Sequence, residues 1–125
     1  MKKISINSPE APAAIGPYSH ANMAGDLIFV SGQLPIRAGE LVADDPADAA
    51  RAAMENIGAI LKEAGSDFDH VLRCTVYLTD LSNFAAVNEV YAEFFSEHYP
   101  ARVCFEVSGL PKGALVEIDA IAVKA

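Results

Sequence analysis

Hydrophobic and polar positions along this chain follow the two-residue period of strands in some segments and the helical period in others. Residues 2–7, 70–78, 101–107 and 115–123 have the alternating or β-branched character of strands. Residues 27–31, Leu-Ile-Phe-Val-Ser, are apolar on both faces, which is typical of a central strand covered on both sides. The pattern therefore predicts five strands.

Two segments between these strands have the periodicity of amphipathic helices. In the first, Asp45 is a predicted N-cap, Pro46 occupies the favoured first turn, and Gly65 is the predicted stop. The second is capped by Asp80 or Ser82, and its apolar stripe is Phe84, Val87, Tyr91, Phe94 and Phe95. The order ββαβαββ predicts an α+β fold, a two-layer sandwich of a mixed β-sheet with two helices on one face.

Length and composition limit the organisation of the chain. A chain of 125 residues that is 52% hydrophobic fits one domain, residues 1–125, with a packed core. No apolar run reaches the roughly 18 residues that a membrane-spanning helix requires. The start of the chain, residues 1–7, lacks the apolar run of a signal peptide, so a cytoplasmic location is expected.

Charge and motif content argue against several classes of function. Nine Lys and Arg stand against 17 Asp and Glu, a formal net charge of −8 that repels a phosphate backbone, so no nucleic-acid partner is expected. Cys74 and Cys104 form no CxxC motif and are expected to be reduced and buried. The three histidines have no metal-ligand spacing, so no metal site is predicted. Neither GxGxxG nor GxxxxGK(S/T) occurs, so no nucleotide site is predicted either.

Alternation places charged residues on the sheet face that points away from the helices. The predicted members of this face are Arg73, Thr75, Tyr77, Arg102, Cys104, Glu117 and Asp119, whereas Val103, Phe105 and Val107 are predicted to face the helices. Such a face is too apolar to be fully solvated and too charged to be a core. It favours an oligomer that covers this face and leaves charged pockets at its seams.

If the last two strands form a hairpin, Cys104 pairs with Glu117 and Arg102 with Asp119. Arg102 and Glu117 are then diagonal neighbours, with backbones about 7–8 Å apart. An arginine binds a carboxylate through two parallel hydrogen bonds, and a half-buried glutamate deprotonates a water, which suits hydrolysis of a small anion. The alternative is an ion pair that only holds the seam of an oligomer together.

Five segments of the chain resemble the signatures of the RidA/YjgF family, and the similarity runs over almost the whole chain. They are Gly16-Pro17-Tyr18-Ser19, Ser31-Gly32-Gln33-Leu34-Pro35, Asn83-Phe84-Ala85-Ala86-Val87-Asn88, Pro100-Ala101-Arg102-Val103-Cys104 and Glu117-Ile118-Asp119-Ala120-Ile121-Ala122. The resemblance implies a chorismate-mutase-like fold and a homotrimer with an inner barrel and three clefts between subunits. It also implies hydrolysis of 2-iminobutanoate and 2-iminopropanoate, which arise from pyridoxal-phosphate enzymes, to 2-oxo acids and ammonia without a cofactor.

The resemblance also implies roles for single residues. Arg102 binds the substrate carboxylate, Glu117 holds or activates the attacking water, and Cys104 contributes its backbone amide. The remaining cleft residues are Tyr18, Ser31, Gly32 and Asn88, some of them from the neighbouring chain. Each of these has a structural alternative: interface packing for Tyr18, a turn cap for Ser31, backbone shape for Gly32, and a solvent or backbone contact for Asn88.

The sequence departs from the family pattern at two places, and it leaves two competing functions to be considered. Val103 stands where many relatives carry serine, and the segment 97–100 is shorter than in some members. The role of His20, next to the Tyr18 loop, is open, with a structural role favoured. A protein that binds 2-oxo acids without turnover is the main alternative; a ribonuclease or translation inhibitor is disfavoured by the acidic balance and the lack of paired histidines.

Overall fold

The computed structural model describes all 125 residues and contains eight strands and two α-helices. In chain order they are β1 (Lys3–Ile6), β2 (Ala21–Ala24), β3 (Leu27–Gln33), β4 (Ile36–Arg37), β5 (Glu40–Leu41), α1 (Pro46–Glu63), β6 (Val71–Leu78), α2 (Phe84–Ala92), β7 (Ala101–Glu106) and β8 (Val116–Val123). Six strands form one mixed sheet in the order β1-β2-β3-β8-β6-β7, and β4 and β5 form a separate two-stranded hairpin. The predicted α+β sandwich is confirmed.

The first helix begins and ends where its caps predict. The Asp45 carboxylate accepts hydrogen bonds from the backbone amides of Ala47 and Asp48, and Pro46 occupies the first turn. Gly65 follows the helix with a φ of 81°, a conformation that other residues adopt only with strain. Helix α1 lies on β8 and β3, where its apolar residues fill one continuous core with those of the sheet.

Strand β8 lies in the middle of the sheet, between β3 and β6. Val116, Ile118, Ala120 and Ala122 are all buried beneath the helices, as the alternation predicts. Glu117 and Asp119 point to the opposite face, which no helix covers; we call it the open face.

The predicted hairpin between the last two strands is wrong. Strand β7 lies at the edge of the sheet and pairs in parallel with β6, whereas β8 pairs antiparallel with both β6 and β3. The fully apolar face of β8 gains most from a central position under α1, and a strand that carries Arg102 and Glu106 tolerates an edge. The Arg102–Asp119 and Cys104–Glu117 pairs therefore do not form.

The predicted faces of β7 are also reversed. Arg102 and Cys104 lie on the helix side, in register with the buried Cys74 and Val76 of β6. Val103 and Phe105 lie on the open face, 40% and 43% exposed, and the Phe105 ring meets the Tyr77 ring edge-on at 5.3 Å. The expectation that Val103 faces the helices is thus wrong. The alternation does not identify the buried face of β7, because this strand has apolar side chains on both faces.

Two shorter features were not predicted from the sequence. Strand β2 occupies residues for which the sequence predicts a loop. It pairs antiparallel with β1 on one side and with β3 on the other, and the Gly25 turn joins it to β3. Helix α2 ends at Ala92, so Phe94 and Phe95 follow it rather than belong to it. No helix is long and apolar enough to cross a lipid bilayer.

Candidate functional site

The first group of predicted site residues lies on the open face around Glu117. Tyr18, Ser31, Gly32 and Glu117 line one hollow of about 210 Å³, together with Ile15, Leu34 and Pro111. A methyl group on Gly32 would lie 2.2 Å from Glu117 Oε2, so the carboxylate rests directly against the glycine backbone. Burial, followed by the nearby charge of Asp119, raises the pKa of the Glu117 carboxyl. A half-buried carboxylate of raised pKa is suited to accept a proton.

Ser31 fixes the loop that carries Tyr18. Its hydroxyl donates to the carbonyl oxygen of Ser19 at 2.6 Å, and its backbone N–H donates to the carbonyl oxygen of His20 at 2.9 Å. The Tyr18 hydroxyl accepts a hydrogen bond from the Ile15 amide at 3.3 Å. These bonds hold Tyr18 at the hollow that Glu117 also lines. The Ser31 hydroxyl proton is already used in a hydrogen bond within the chain.

His20 has a structural contact on each ring nitrogen. Nδ1 accepts from the Ser8 amide at 2.9 Å, which requires a neutral ring, and Nε2 donates to the Pro12 carbonyl at 2.8 Å. The side chain is 4% exposed. His20 therefore ties the 8–12 turn to the start of β2.

The second group of predicted site residues lies on the helix side, around Arg102. Its guanidinium donates from Nη1 to Asn88 Oδ1 at 2.7 Å and stands over the rings of Phe84 and Tyr91, at 5.5 and 5.0 Å from their centroids. A hollow of about 290 Å³ next to it is lined by Asn88, Tyr91, Ala92, Tyr99, Pro100 and Arg102. The Asn88 side chain therefore has its hydrogen-bond partner within the chain, the Arg102 guanidinium.

Neither cysteine forms a disulfide. Burial raises the pKa of the Cys74 thiol to about 11, and burial also raises the pKa of the Cys104 thiol, which the charge of Arg102 opposes in part. Both side chains therefore stay protonated near neutral pH. Such thiols are poor nucleophiles, in keeping with a role for Cys104 through its backbone amide alone.

The two groups do not meet within one chain. Arg102 is in register with Cys74 on the helix side, and Glu117 is in register with Tyr77 on the open face. Two interstrand spacings and three residues along β6 separate their Cα atoms by about 14 Å. The predicted diagonal contact between Arg102 and Glu117 is wrong, because it depended on the hairpin that does not form.

Three further side chains matter to these groups. On the open face, Asp119 accepts from the Tyr77 hydroxyl at 2.9 Å and from the Thr75 amide at 3.1 Å, which fixes it near Glu117. On the helix side, Phe84 and Tyr91 were assigned from the sequence to the core stripe alone. Their spacing from Asn88, four residues after Phe84 and three before Tyr91, places all three on one helix face and could have identified the cluster.

The chain contains no cluster of three or more His, Cys, Asp or Glu side chains that is able to hold a metal ion. The largest hollow, of about 590 Å³, lies between residues 10–15, the β4–β5 hairpin and α1. None of the predicted site residues lines this hollow.

Comparison with known proteins gives one consistent result. The chain is 52% identical over 126 residues to a RutC family protein of Pyrococcus horikoshii, covering 99% of each chain. It is 43% identical to the human 2-iminobutanoate/2-iminopropanoate deaminase, covering 95% of this chain and 88% of that protein. The crystal structure of Escherichia coli TdcF with bound serine superposes with a TM-score of 0.92 at 43% identity, covering 98% and 99% of the two chains. Since the model of the Endoribonuclease L-PSP family also matches residues 8–124, the chain belongs to that family, the RidA/YjgF proteins that its motifs resemble.

Proposed function

We propose that this protein hydrolyses short 2-imino acids, 2-iminobutanoate and 2-iminopropanoate, to 2-oxo acids and ammonia. The observation that carries the proposal is the Glu117 carboxylate, half-buried against Gly32 with a raised pKa and facing a hollow of small-molecule size. The similarity to mammalian proteins named 2-iminobutanoate/2-iminopropanoate deaminase, at 43–48% identity, supports the same reaction.

The reaction assigns one task to each charged residue. Arg102 binds the substrate carboxylate with the guanidinium N–H groups that Asn88 does not occupy. Glu117 takes a proton from water as the water oxygen bonds to the imine carbon, and the C=N electron pair moves to nitrogen. From the protonated imine this gives a carbinolamine, whose nitrogen then receives a proton. The C–N bond breaks with its electron pair on nitrogen while the hydroxyl group loses its proton to solvent and the C=O bond forms, so ammonia and the 2-oxo acid are released. The protonated imine is already electrophilic, so the proposal requires no cofactor.

A complete site requires a second copy of the chain. Arg102 and Asn88 lie on the helix side, and Glu117, Gly32, Ser31 and Tyr18 lie toward the open face. The open face also exposes large apolar side chains, among them Leu27, Phe29, Val103 and Phe105. Burial of this face in a homotrimer with an inner barrel removes these side chains from water and juxtaposes the Arg102 group of one copy with the Glu117 group of another.

The test is a coupled assay with threonine dehydratase, in which semicarbazide traps free imine and 2-oxobutanoate release is followed. We expect the protein to accelerate release and Arg102→Ala to abolish the acceleration. Arg51→Ala is the matched control, since the side chain of Arg51 is 39% exposed and forms an ion pair with Glu93, away from the predicted site residues. No acceleration by the wild-type protein would contradict the proposal.

A second candidate, a protein that binds 2-oxo acids without turnover, has support from the serine bound to the relative TdcF. The Glu117→Gln variant separates the two functions. For a deaminase, this variant retains 2-oxobutanoate binding in calorimetry and loses turnover. For a binding protein, the wild type binds 2-oxobutanoate and shows no turnover at all.

The name of the matching family describes an endoribonuclease, but the residues of this chain do not favour that activity. Arg37, Arg51 and Lys62 lie within ion-pair distance of carboxylates, and the overall charge is −8. His20 is engaged by two backbone groups and His70 contacts Asp67. RNA cleavage that copurifies with the protein through size exclusion and falls steeply with added salt would show that the protein is a ribonuclease.

A further inference from the structure

Two aromatic rings of α2 stand against the guanidinium of Arg102. The Phe84 and Tyr91 ring centroids are 5.5 and 5.0 Å from Cζ, within the range of a cation–π interaction. Phe84 begins the helix, Asn88 follows one turn later, and Tyr91 follows almost one turn after that. The two aromatic rings and the amide between them therefore lie on one face of the helix. The arginine reaches this face from the edge strand β7.

The three contacts restrict different motions of the side chain. The hydrogen bond to Asn88 fixes one nitrogen, at 2.7 Å, but a single bond leaves the guanidinium free to turn about it. Contact with ring faces restricts that turn and uses none of the N–H donors, which all lie in the guanidinium plane. The remaining donors therefore keep a fixed direction, as the binding of a carboxylate through two parallel bonds requires.

We propose that Phe84 and Tyr91 are positioning residues, which hold Arg102 in the orientation that binds the carboxylate of the ligand. This inference rests on the proposed function and extends it. It assigns a role in substrate affinity to the partly exposed Phe84 and the buried Tyr91, neither of which carries a charge.

The Tyr91 hydroxyl contributes little to this role. It is buried next to the Cys74 thiol and has no hydrogen-bond partner of ordinary geometry, so the ring alone remains as the useful part of the side chain. Tyr91→Phe keeps the ring and removes the hydroxyl, which makes it the conservative variant. Phe94→Leu is the control for loss of a ring, because Phe94 packs on Phe68, with centroids 5.2 Å apart, and has no contact with Arg102.

The first experiment measures the affinity for 2-oxobutanoate by calorimetry and the KM and kcat in the coupled assay. We expect Tyr91→Leu and Phe84→Leu each to weaken the affinity about three- to tenfold and to raise KM more than they lower kcat. Tyr91→Phe is expected to restore most of the affinity that Tyr91→Leu loses. An equal loss in Phe94→Leu, or none in both leucine variants, would overturn the proposal.

The second experiment separates the positioning role from the proposed function. The Nε–H signal of Arg102 in a ¹H–¹⁵N spectrum, assigned by its absence in Arg102→Lys, reports the two rings through their ring currents. We expect the signal to move toward that of free arginine in both leucine variants and to stay in place in Phe94→Leu. If the wild type shows no turnover but the signal and the 2-oxobutanoate affinity respond as expected, the deaminase function is wrong and the positioning role stands. A signal that stays in place in both leucine variants contradicts the positioning role even if the enzyme turns over imines.

Discussion

Mixing two inactive variants tests whether the site is shared between chains. Arg102→Ala removes the proposed carboxylate-binding group and Glu117→Gln removes the proposed water-activating group, so neither variant alone should have a complete site. In the structure these residues lie on opposite faces of the sheet, in register with Cys74 and Tyr77 respectively, and their Cα atoms are about 14 Å apart. A short 2-imino acid does not span that separation, so the proposed function places Arg102 of one copy and Glu117 of another in each intact site.

The recovered activity follows from the symmetry of the assembly. In a ring of three copies that contains both variants, one of the three seams joins an intact Arg102 to an intact Glu117. Mixed trimers should therefore show about one third of the wild-type activity. A two-fold dimer with two sites would instead regain about one half, so the fraction also reports the number of subunits.

The assay uses coexpression of the two variants with different affinity tags and purification over both tags in series. Activity is measured with threonine dehydratase and semicarbazide, and the same preparation made from Arg102→Ala with both tags is the control. Recovery to about one third supports a shared site in a trimer. If the doubly tagged mixture is as inactive as its parents, the two residues do not form one site and the argument from opposite faces fails.

Two further predictions concern Glu117. Gly32→Ala should lower kcat by about 100-fold without unfolding the protein, because its methyl group would lie 2.2 Å from Glu117 Oε2 and displace the carboxylate. The control is Gly109→Ala, whose methyl group meets no atom within 4 Å and which should stay active. Equal activity of the two variants would contradict the contact between Gly32 and Glu117. Glu117→Gln should raise the unfolding temperature at pH 7. The raised pKa of Glu117 means that the folded state disfavours its charged form, so this gain should vanish as the pH falls below the ordinary value of 4.5. An unfolding temperature that is lowered at pH 7, or a gain that persists at pH 3, would refute this reasoning.

The elements that could be predicted from the sequence are those with a local physical cause. The first helix has a cap at Asp45, a proline in its first turn and a glycine stop, all within the segment itself. The alternation of β8 gives the correct faces because four small and β-branched side chains are buried on one side and two acids lie on the other. Such features do not depend on which strands are neighbours.

Strand neighbours could not be predicted in the same way. The pairing of β7 with β6, rather than with β8, depends on the competition of several strands for the position under α1. In β7 the apolar Val103 and Phe105 alternate with Arg102 and Cys104, and the stem of the arginine packs as well beside a helix as an apolar residue does. The motifs identified both charged residues of the candidate site, but their relation in space required the sheet order.

Arg102 differs from the arginines whose charge the chain itself neutralises. Arg37 contacts Asp48 and Glu55, and Arg51 contacts Glu93, whereas the partner of Arg102 is the neutral amide of Asn88. A half-buried cation without a carboxylate contributes little to stability, because the hydrogen bond and the ring contacts are offset by the loss of hydration. We therefore expect Arg102→Met to change the free energy of unfolding in urea by less than about 1 kcal/mol while it abolishes 2-oxobutanoate binding. A destabilisation of several kcal/mol would mean that Arg102 is a structural residue, and the reading of its free charge as an anion site would fail.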